Sequence, residues 1–269
     1  MKPIRLAIVG AAGRMGQRLV ALAAVDPRLE VIAAVESARH PQIGEDSGTV
    51  AGIKANGVPI YSEFEPNVDV PKVDVIIDFS SPQGIDALLD HCLRQKTPLV
   101  YATTGLSPEQ EARLRGAAEQ IPLLWSPSMS MTVILGMRLA QEAAKVLKDK
   151  DADVEIIEYH HRYKADAPSG TALKFGQIIA GEMGIDHFAH GREGKVGARP
   201  HNEIGYHAVR VGDNPGQHTI LFGLLGETLE LTIKASNRDA YALGALAAAK
   251  FLVGKPIGLY DMNDVLFDK

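Results

Sequence analysis

Short apolar runs alternate with amphipathic stretches along the first half of the chain. The runs at residues 4–9, 31–35, 73–79 and 99–102 are mostly apolar, and they predict buried strands. The stretches between them carry apolar residues at helical spacing, as at residues 85–94. Strands that alternate with helices in this order predict a parallel, doubly wound sheet, whose carboxyl ends bind ligands.

The pattern changes near the middle of the chain. Apolar residues between positions 132 and 148 repeat on one helical face and predict a long packed helix. From residue 198 onwards, β-branched clusters lie between turns rich in Gly, Asn and Asp, which predicts an open mixed or antiparallel sheet. The predicted strands are residues 207–211, 218–222 and 229–234.

These patterns predict two domains. The doubly wound domain comprises residues 1–130 and is completed by residues 240–269, which include a strongly apolar helix. The second domain comprises residues 131–239 and is of the α+β type with an open mixed sheet. Within the first domain, residues 40–66 are rich in Gly, Pro, Ser and Asn, and this composition predicts loops with short strands.

Composition narrows the class of protein. Hydrophobic residues make up 46% of the 269 positions and charged residues 23%, as in ordinary soluble proteins. No apolar run reaches the ~18 residues of a membrane span, and the first residues show no secretory signal pattern. The single cysteine, Cys92, fits a reducing compartment, and the net charge of −5 argues against a nucleic-acid surface. We therefore expect a cytoplasmic protein that binds neither nucleic acid nor membrane.

Three glycines follow the first strand directly, in the spacing Gly10-x-x-Gly13-x-x-Gly16. Such glycines let the backbone approach a pyrophosphate, while the following helix offers free N–H groups. Glu36 ends the second strand roughly 20 residues beyond the turn, where an acid accepts hydrogen bonds from an adenosine ribose. A glycine triplet alone is also typical of a tight turn with close helix packing. Together with the flanking strands and Glu36, it favours a Rossmann-like, dinucleotide-binding first domain.

The densest cluster of reactive side chains lies in residues 153–172, which read DVEIIEYHHRYKADAPSGTA. A predicted strand ends in His160, His161, Arg162 and Lys164, and a Pro-Ser-Gly-Thr turn then opens an apolar helix. If the strand continues, His160 and Lys164 share one face and His161 lies on the other. Cations beside a helix N-terminus predict a site for a small carboxylate with a proton donor next to it.

The chemistry of these residue types suggests their roles. His160 titrates near neutrality and is the natural proton shuttle, and Lys164 is a point cation with three donors. Gly170 and Thr171 offer backbone N–H groups and a hydroxyl to a carboxylate. Ser169 is equally well explained as a helix N-cap.

Other interpretations of the cluster are less favoured. A histidine pair is commonly structural, although the neighbouring lysine and helix turn argue otherwise. Adjacent histidines lack the usual zinc-ligand spacing, and the two neighbouring cations would repel the ion, so we expect no metal. A serine hydrolase is disfavoured because the chain contains no G-x-S-x-G elbow.

The run EYHHRYKADAPSGTA resembles the signature of the 4-hydroxy-tetrahydrodipicolinate reductases, also called dihydrodipicolinate reductases, of bacterial lysine and diaminopimelate synthesis. The resemblance extends over nearly the whole chain. It implies NAD(P)H-dependent reduction of (2S,4S)-4-hydroxy-2,3,4,5-tetrahydrodipicolinate to tetrahydrodipicolinate with loss of water. It also implies that His160 is the proton donor and acceptor, that Lys164 is a second proton donor, and that the second domain binds this cyclic dicarboxylate and forms a homotetramer. The implied substrate-binding residues are His161, Gly170 and Thr171.

The same resemblance implies a set of coenzyme-binding positions around the glycine turn, the acid after the second strand, and two later strand ends. One segment departs from the family, which usually reads Pro-Asn-Phe where this chain has Pro127-Ser128-Met129. Ordinary loop hydrogen bonding is the alternative explanation for Thr103 and Thr104. The implied set is Gly10, Ala11, Ala12, Gly13, Arg14, Met15, Glu36, Ser37, Ala102, Thr103, Thr104, Ser126, Pro127, Ser128 and Met129.

Ser37 bears on the choice of coenzyme. In a number of family members the residue after the acid is basic and would face a 2′-phosphate, whereas here Arg14 and Arg39 are the remaining cations nearby. Glu36 suits a free 2′-hydroxyl and repels a phosphate. We therefore expect NADH to be used at least as well as NADPH.

Two other functions compete with this one. Another nicotinamide-dependent enzyme of amino-acid metabolism, of the aspartate or homoserine dehydrogenase type, would act on a linear substrate and explains the DAPSGT turn less well. A non-catalytic dinucleotide sensor would keep the glycine turn and Glu36 but would not need His160 or Lys164.

Overall fold

The computed structural model describes residues 2–62 and 72–267, which form two compact units. The first unit comprises Met1–Met131 with Arg238–Lys269, and the second comprises Thr132–Asn237. Residues 63–66 of the predicted loop-rich segment lie outside the described residues. In chain order the strands are β1 Ile4–Val9, β2 Leu29–Val35, β3 Ile60–Tyr61, β4 Val75–Asp78, β5 Leu99–Tyr101, β6 Pro122–Trp125, β7 Asp153–His160, β8 His187–His190, β9 Glu203–Arg210, β10 Gln217–Leu224, β11 Glu227–Lys234 and β12 Gly258–Tyr260. The helices are α1 Arg14–Ala23, α2 Ser47–Val50, α3 Ile85–Gln95, α4 Pro108–Ala117, α5 Met131–Leu147, α6 Gly170–Met183, α7 Asp239–Leu252 and α8 Met262–Phe267.

The first unit contains a parallel sheet in the order β12-β6-β5-β4-β1-β2-β3. Its central strands are mostly apolar, as expected for strands with both faces covered, and Leu6, Ala7 and Ile8 of β1 are fully buried. The strand order reverses between β1 and β4, which opens a crevice at their carboxyl ends. The predicted doubly wound sheet is confirmed, and the crevice lies where the glycine turn follows β1.

One side of this sheet packs against α3 and α4. Ile85, Leu89 and Leu114 of these helices form a buried cluster with alternate strand residues such as Ile76 and Leu99. Cys92 lies in the same cluster, where it is fully buried as a small core residue. This core holds the strand ends in place beneath the crevice.

The second unit contains a mixed sheet in the order β11-β10-β7-β9-β8. The central strand β7 pairs parallel with β9 and antiparallel with β10, so the predicted open mixed sheet is confirmed. Helix α6 packs closely on this sheet, since a Cβ on Gly176 would lie 1.7 Å from the Tyr206 hydroxyl. The strands β9, β10 and β11 extend beyond the predicted segments, because ladder pairing also recruits polar residues that a hydrophobic pattern misses.

In the described part of the chain, no helix combines the length and the hydropathy that a membrane crossing requires.

Candidate active site

The glycine turn of the first unit is held against two strand ends. Gly10 adopts φ +79°, and a Cβ there would lie 2.6 Å from the carbonyl oxygen of Phe79. The amides of Gly10 and Ala11 both donate to the carbonyl of Val35, at 2.9 and 3.0 Å. A Cβ on Gly16 would lie 2.0 Å from the Gly10 carbonyl oxygen, so α1 is packed directly against the turn. These close approaches require glycine and fix the position of the turn.

Helix α1 begins with Arg14 and Met15, directly after the turn. Gly13 is its N-cap, and no side chain of the described residues caps the helix. First-turn N–H groups without a side-chain partner attract an anion such as a pyrophosphate. The residues therefore fit the phosphate half of a dinucleotide.

Glu36 is positioned by backbone amides. Its carboxylate accepts a hydrogen bond from Ala12 N at 3.2 Å and from Ser37 N at 2.8 Å. A cavity of about 740 Å³ opens beside it, within the size range of small-molecule sites. The cavity brings together Gly10, Gly13, Glu36 and Ser37 with side chains that the sequence did not single out, among them Ser80, His91 and Arg94.

The two later coenzyme segments follow neighbouring strands. Residues 102–104 come directly after β5, and residues 126–129 come directly after β6, so both lie at the same edge of the sheet. Thr103 is buried and donates its hydroxyl to Asp78, whereas Thr104 is exposed. The Thr103 side chain thus makes a loop hydrogen bond, which was the alternative explanation for it.

Residues 126–129, which include the departure from the family sequence, divide into exposed and buried positions. Ser126 is buried, and its Oγ has no hydrogen-bond partner within the described ranges. Pro127 is exposed, Ser128 accepts a hydrogen bond from Ser130 N at 3.2 Å, and Met129 is 3% exposed. Met129 fills space in the core of this unit, and the orphan Ser126 hydroxyl suits a polar ligand.

Asp78, which the sequence analysis missed, lies buried at the end of β4. Its two oxygens accept hydrogen bonds from Ser80 Oγ and Thr103 Oγ1, both at 2.5 Å. Burial raises the pKa of Asp78 to about 6, against the opposing effect of these hydroxyls. An acid that closes an otherwise apolar strand was the signal in the sequence. Asp78 ties the segments after β4 and β5 together.

In the second unit, His160 is the last residue of β7. Strand alternation places Val154, Ile156, Glu158 and His160 on the buried face. The Nδ1 atom of His160 is hydrogen-bonded to the carboxylate of Glu158, which is 1% exposed. Burial lowers the pKa of His160 below its ordinary value, and the Glu158 hydrogen bond opposes this effect.

The Glu158 carboxylate is surrounded by donors. It accepts hydrogen bonds from Arg210 Nη1 and Nη2 at 2.9 and 2.8 Å, and from Ser169 N at 3.1 Å. Burial opposes its ionisation, yet Arg210 and His160 outweigh burial and hold the pKa of Glu158 below its usual value. Neither Glu158 nor Arg210 was identified from the sequence, because they are 52 residues apart in the chain and meet only through the pairing of β7 with β9.

His218 of β10 completes the buried cluster. Its ring lies edge-on to that of His160 with centroids 5.3 Å apart, and its Nε2 is 3.1 Å from Ser169 Oγ. Burial lowers the pKa of His218 to about 4, so its ring is neutral at physiological pH. His218 therefore adds a polar wall to the site without adding charge.

Lys164 lies beyond the end of β7, which corrects the expectation that it shares a strand face with His160. Its amide donates to the His161 carbonyl at 3.1 Å, closing a turn, and its Nζ contacts both oxygens of Asp166 at 2.7 and 2.9 Å. The Nδ1 atom of His161 is buried and has no hydrogen-bond partner among residues 2–62 and 72–267. The strand ends at His160 because the chain turns there to reach α6.

Helix α6 opens directly after this turn. Ser169 is its N-cap and accepts a hydrogen bond from Ala172 N at 3.2 Å, so the structural explanation of Ser169 applies. Gly170 and Thr171 form the first turn, and a Cβ on Gly170 would meet nothing within 4 Å. The helix mouth is therefore open, as anion binding by its amides requires.

Comparison with known proteins gives consistent results over the whole chain. The family model described as dihydrodipicolinate reductase, N-terminus, matches residues 4–129, and that described as dihydrodipicolinate reductase, C-terminus, matches residues 132–266. The chain is 54% identical to the 4-hydroxy-tetrahydrodipicolinate reductase of Rhodopirellula baltica, over 98% of this chain and 96% of that protein. It is 43% identical to the enzyme of the same name from Alkalilimnicola ehrlichii, over 97% and 98% of the two chains.

A solved structure shares the whole fold. The dipicolinate-bound dihydrodipicolinate reductase from Paenisporosarcina sp. TG-14 superposes with a TM-score of 0.76 at 28% identity, covering 96% of this chain and 97% of that one. An amine dehydrogenase from Mycobacterium smegmatis has a TM-score of 0.65 at 13% identity, covering 97% and 95% of the two chains. The second similarity shows the fold alone.

Proposed function

Because the chain belongs to the dihydrodipicolinate reductase family, we propose specific roles for its residues in the reaction of that family. The protein reduces (2S,4S)-4-hydroxy-2,3,4,5-tetrahydrodipicolinate to tetrahydrodipicolinate with loss of water, in lysine and diaminopimelate biosynthesis. The family match favours this function over an aspartate- or homoserine-type dehydrogenase and over a non-catalytic sensor. The observation that supports the proposed roles is the buried His160 beside an open helix mouth and a lysine.

The first unit binds the nicotinamide coenzyme, which supplies the hydride when bound. In this proposal the amides at the start of α1 hold the pyrophosphate, and Glu36 accepts hydrogen bonds from the ribose. Residues 102–104 and 126–129 line the nicotinamide. Two observations support this assignment: the turn requires glycine at Gly10 and Gly16, and the start of α1 has no side-chain cap among the described residues.

The second unit binds the dicarboxylate substrate. The reductase from Paenisporosarcina is bound to dipicolinate, a ring with two carboxylates. In this chain, the amides of Gly170 and Thr171 hold one carboxylate, and Lys164 with His161 holds the ring and its polar substituents. Lys164 exchanges its contact with Asp166 for a contact with the substrate.

His160 supplies the proton that accompanies hydride transfer. Its Nδ1 faces Glu158, so Nε2 is the atom that donates to the substrate. Lys164 is the second proton donor and stabilises the negative charge that develops on the substrate.

Three further properties belong to the proposal. NADH serves at least as well as NADPH, because Glu36 is retained and Ser37 brings no charge to meet a 2′-phosphate. The protein is a homotetramer, for which the exposed strand β11 and the adjoining Leu225, 99% exposed, offer pairing surface. It works in the cytoplasm, where a buried free thiol such as that of Cys92 persists.

An NAD(P)H oxidation assay with freshly generated cyclic substrate tests the proposal. We expect rapid oxidation of both coenzymes with the cyclic substrate and none with linear amino acids. His160→Gln should lower kcat by about 10²- to 10⁴-fold, because a general acid is lost. Lys164→Ala should lower kcat and raise KM, because it removes both charge stabilisation and binding.

His201→Gln is the matched control, since His201 is an exposed histidine of the same unit with a side chain that is 80% accessible. It should leave kcat unchanged. Wild-type turnover by His160→Gln would refute the assignment of the proton donor.

A further inference from the structure

The geometry points to Glu158 as the positioning residue of the reaction, which holds His160, the lysine turn and the α6 helix mouth in one arrangement. This inference rests on the proposed role of His160 as proton donor. Glu158 does not touch the substrate in this scheme, and it acts through the groups that it binds.

Both carboxylate oxygens of Glu158 are fully engaged. One oxygen accepts a hydrogen bond from Arg210 Nη1 at 2.9 Å and is also hydrogen-bonded to His160 Nδ1. The other accepts from Arg210 Nη2 at 2.8 Å and from Ser169 N at 3.1 Å. Because an ionised carboxylate can only accept, His160 Nδ1 must carry hydrogen in both protonation states. The titrating proton is therefore confined to Nε2, the atom that faces away from Glu158.

The same carboxylate connects the parts of the substrate site. Through Ser169 N it holds the N-cap of α6, which precedes the substrate-binding amides of Gly170 and Thr171. Its partner Arg210 lies directly opposite His160 in the β7–β9 ladder and donates to the carbonyl of Asp166 at 2.6 Å. Asp166 in turn holds Lys164. One ion pair, formed by the buried Glu158 and the partly buried Arg210, thus fixes the strand end, the turn and the helix start.

The charged groups around His160 determine how Glu158 affects the pKa of this ring. From β9 the group facing His160 is Arg210, from the turn it is Lys164, and from β10 it is the His218 ring, which stays neutral. Burial and the two cations favour neutral His160, whereas Glu158 favours the protonated ring. Removing the carboxylate should therefore lower the pKa of His160 further, so that less of the enzyme carries the catalytic proton.

The test is the pH profile of Glu158→Gln with NADH and the cyclic substrate. We expect kcat to fall by about 10²-fold and the alkaline limb of kcat/KM to move to lower pH by about one unit or more. The KM for NADH should stay within about twofold, since the change lies in the second unit. In a His160→Gln background, Glu158→Gln should lower kcat by less than about threefold, because residues that act through each other are not additive.

Glu155→Gln is the matched control. Glu155 lies on the opposite face of the same strand and pairs with Arg192 and Arg199, so its loss removes comparable ion pairs away from His160. It should leave the pH profile unchanged. If Glu158→Gln fails to fold, Glu158→Gln combined with Arg210→Gln removes both charges of the pair. Because Arg210 and Glu158 act on the His160 pKa in opposite directions, this double variant should shift the alkaline limb less than Glu158→Gln does. It should still lower kcat by about 10²-fold, and this loss should fall below about threefold in a His160→Gln background.

A wild-type pH profile in the Glu158 variant, or additive effects of the Glu158 and His160 substitutions, would overturn the inference and leave Glu158 a purely structural residue. Such a result leaves the proton-donor assignment intact. By contrast, full turnover by His160→Gln would overturn that assignment directly.

Discussion

Replacing Gly16 by alanine should disrupt coenzyme binding. A Cβ at this position would lie 2.0 Å from the Gly10 carbonyl oxygen and 2.6 Å from the Ala11 Cα. Both atoms belong to the backbone of the glycine turn, so no side chain can rotate away. Since ordinary contact begins at 3.4 Å, the turn or the helix must move by about 1.4 Å to admit the methyl group.

The expected magnitude follows from this displacement. Overpacking of this kind costs roughly 1–3 kcal/mol, against a gain of at most about 1 kcal/mol from the better helix propensity of alanine. The amides proposed to hold the pyrophosphate move with the turn, and a misplacement of about 1 Å can lower catalytic efficiency by about 10²-fold. We therefore expect the KM for NADH to rise at least about tenfold. The unfolding free energy should fall by the overpacking cost less the gain in helix propensity.

Steady-state kinetics and urea unfolding measure the two effects. Gly116→Ala is the control, because Gly116 also lies in a helix, α4, and a Cβ there would meet nothing within 4 Å. That variant should keep the wild-type KM and gain up to about 1 kcal/mol of stability. A Gly16→Ala protein with wild-type KM for NADH and unchanged stability would refute the close-packing argument.

Two other substitutions test the first unit. Ser37→Arg places a guanidinium beside the cavity that Ser37 lines, and it should raise kcat/KM with NADPH about tenfold relative to NADH; an unchanged ratio would place Ser37 away from the 2′-position. Asp78→Asn tests the buried acid, whose pKa burial raises to about 6, so the folded protein binds its proton more tightly than the unfolded chain does. The stabilising contribution of Asp78 is therefore complete below the unfolded pKa of 3.8 and is lost as pH rises through about 6. Urea unfolding of the variant should show a change in unfolding free energy over this pH range that is smaller by on the order of 3 kcal/mol. Wild-type pH dependence in Asp78→Asn would contradict the raised pKa.

Local patterns were sufficient to predict the parts of the protein that depend on neighbouring residues. The apolar run of β1, the glycine spacing after it and the acid at Glu36 each follow from backbone sterics and hydrophobic period within about 30 residues. The α6 start was also predictable, because a proline and a serine cap act on adjacent amides. These signals were enough for the fold class and for the proposed proton donor.

Only the tertiary structure placed the groups around that donor. Arg210 and His218 reach His160 through the pairing of β7 with β9 and β10, across about 50 residues of chain. The end of β7 at His160 likewise depends on the turn that leads to α6, so Lys164 does not continue the strand. The periodicity of hydrophobic residues shows which face of a strand is buried. It does not show which other strand pairs with that strand or in what register. The Glu158–Arg210 ion pair is therefore a property of strand register, because hydrogen bonds between distant segments decide which polar side chains meet.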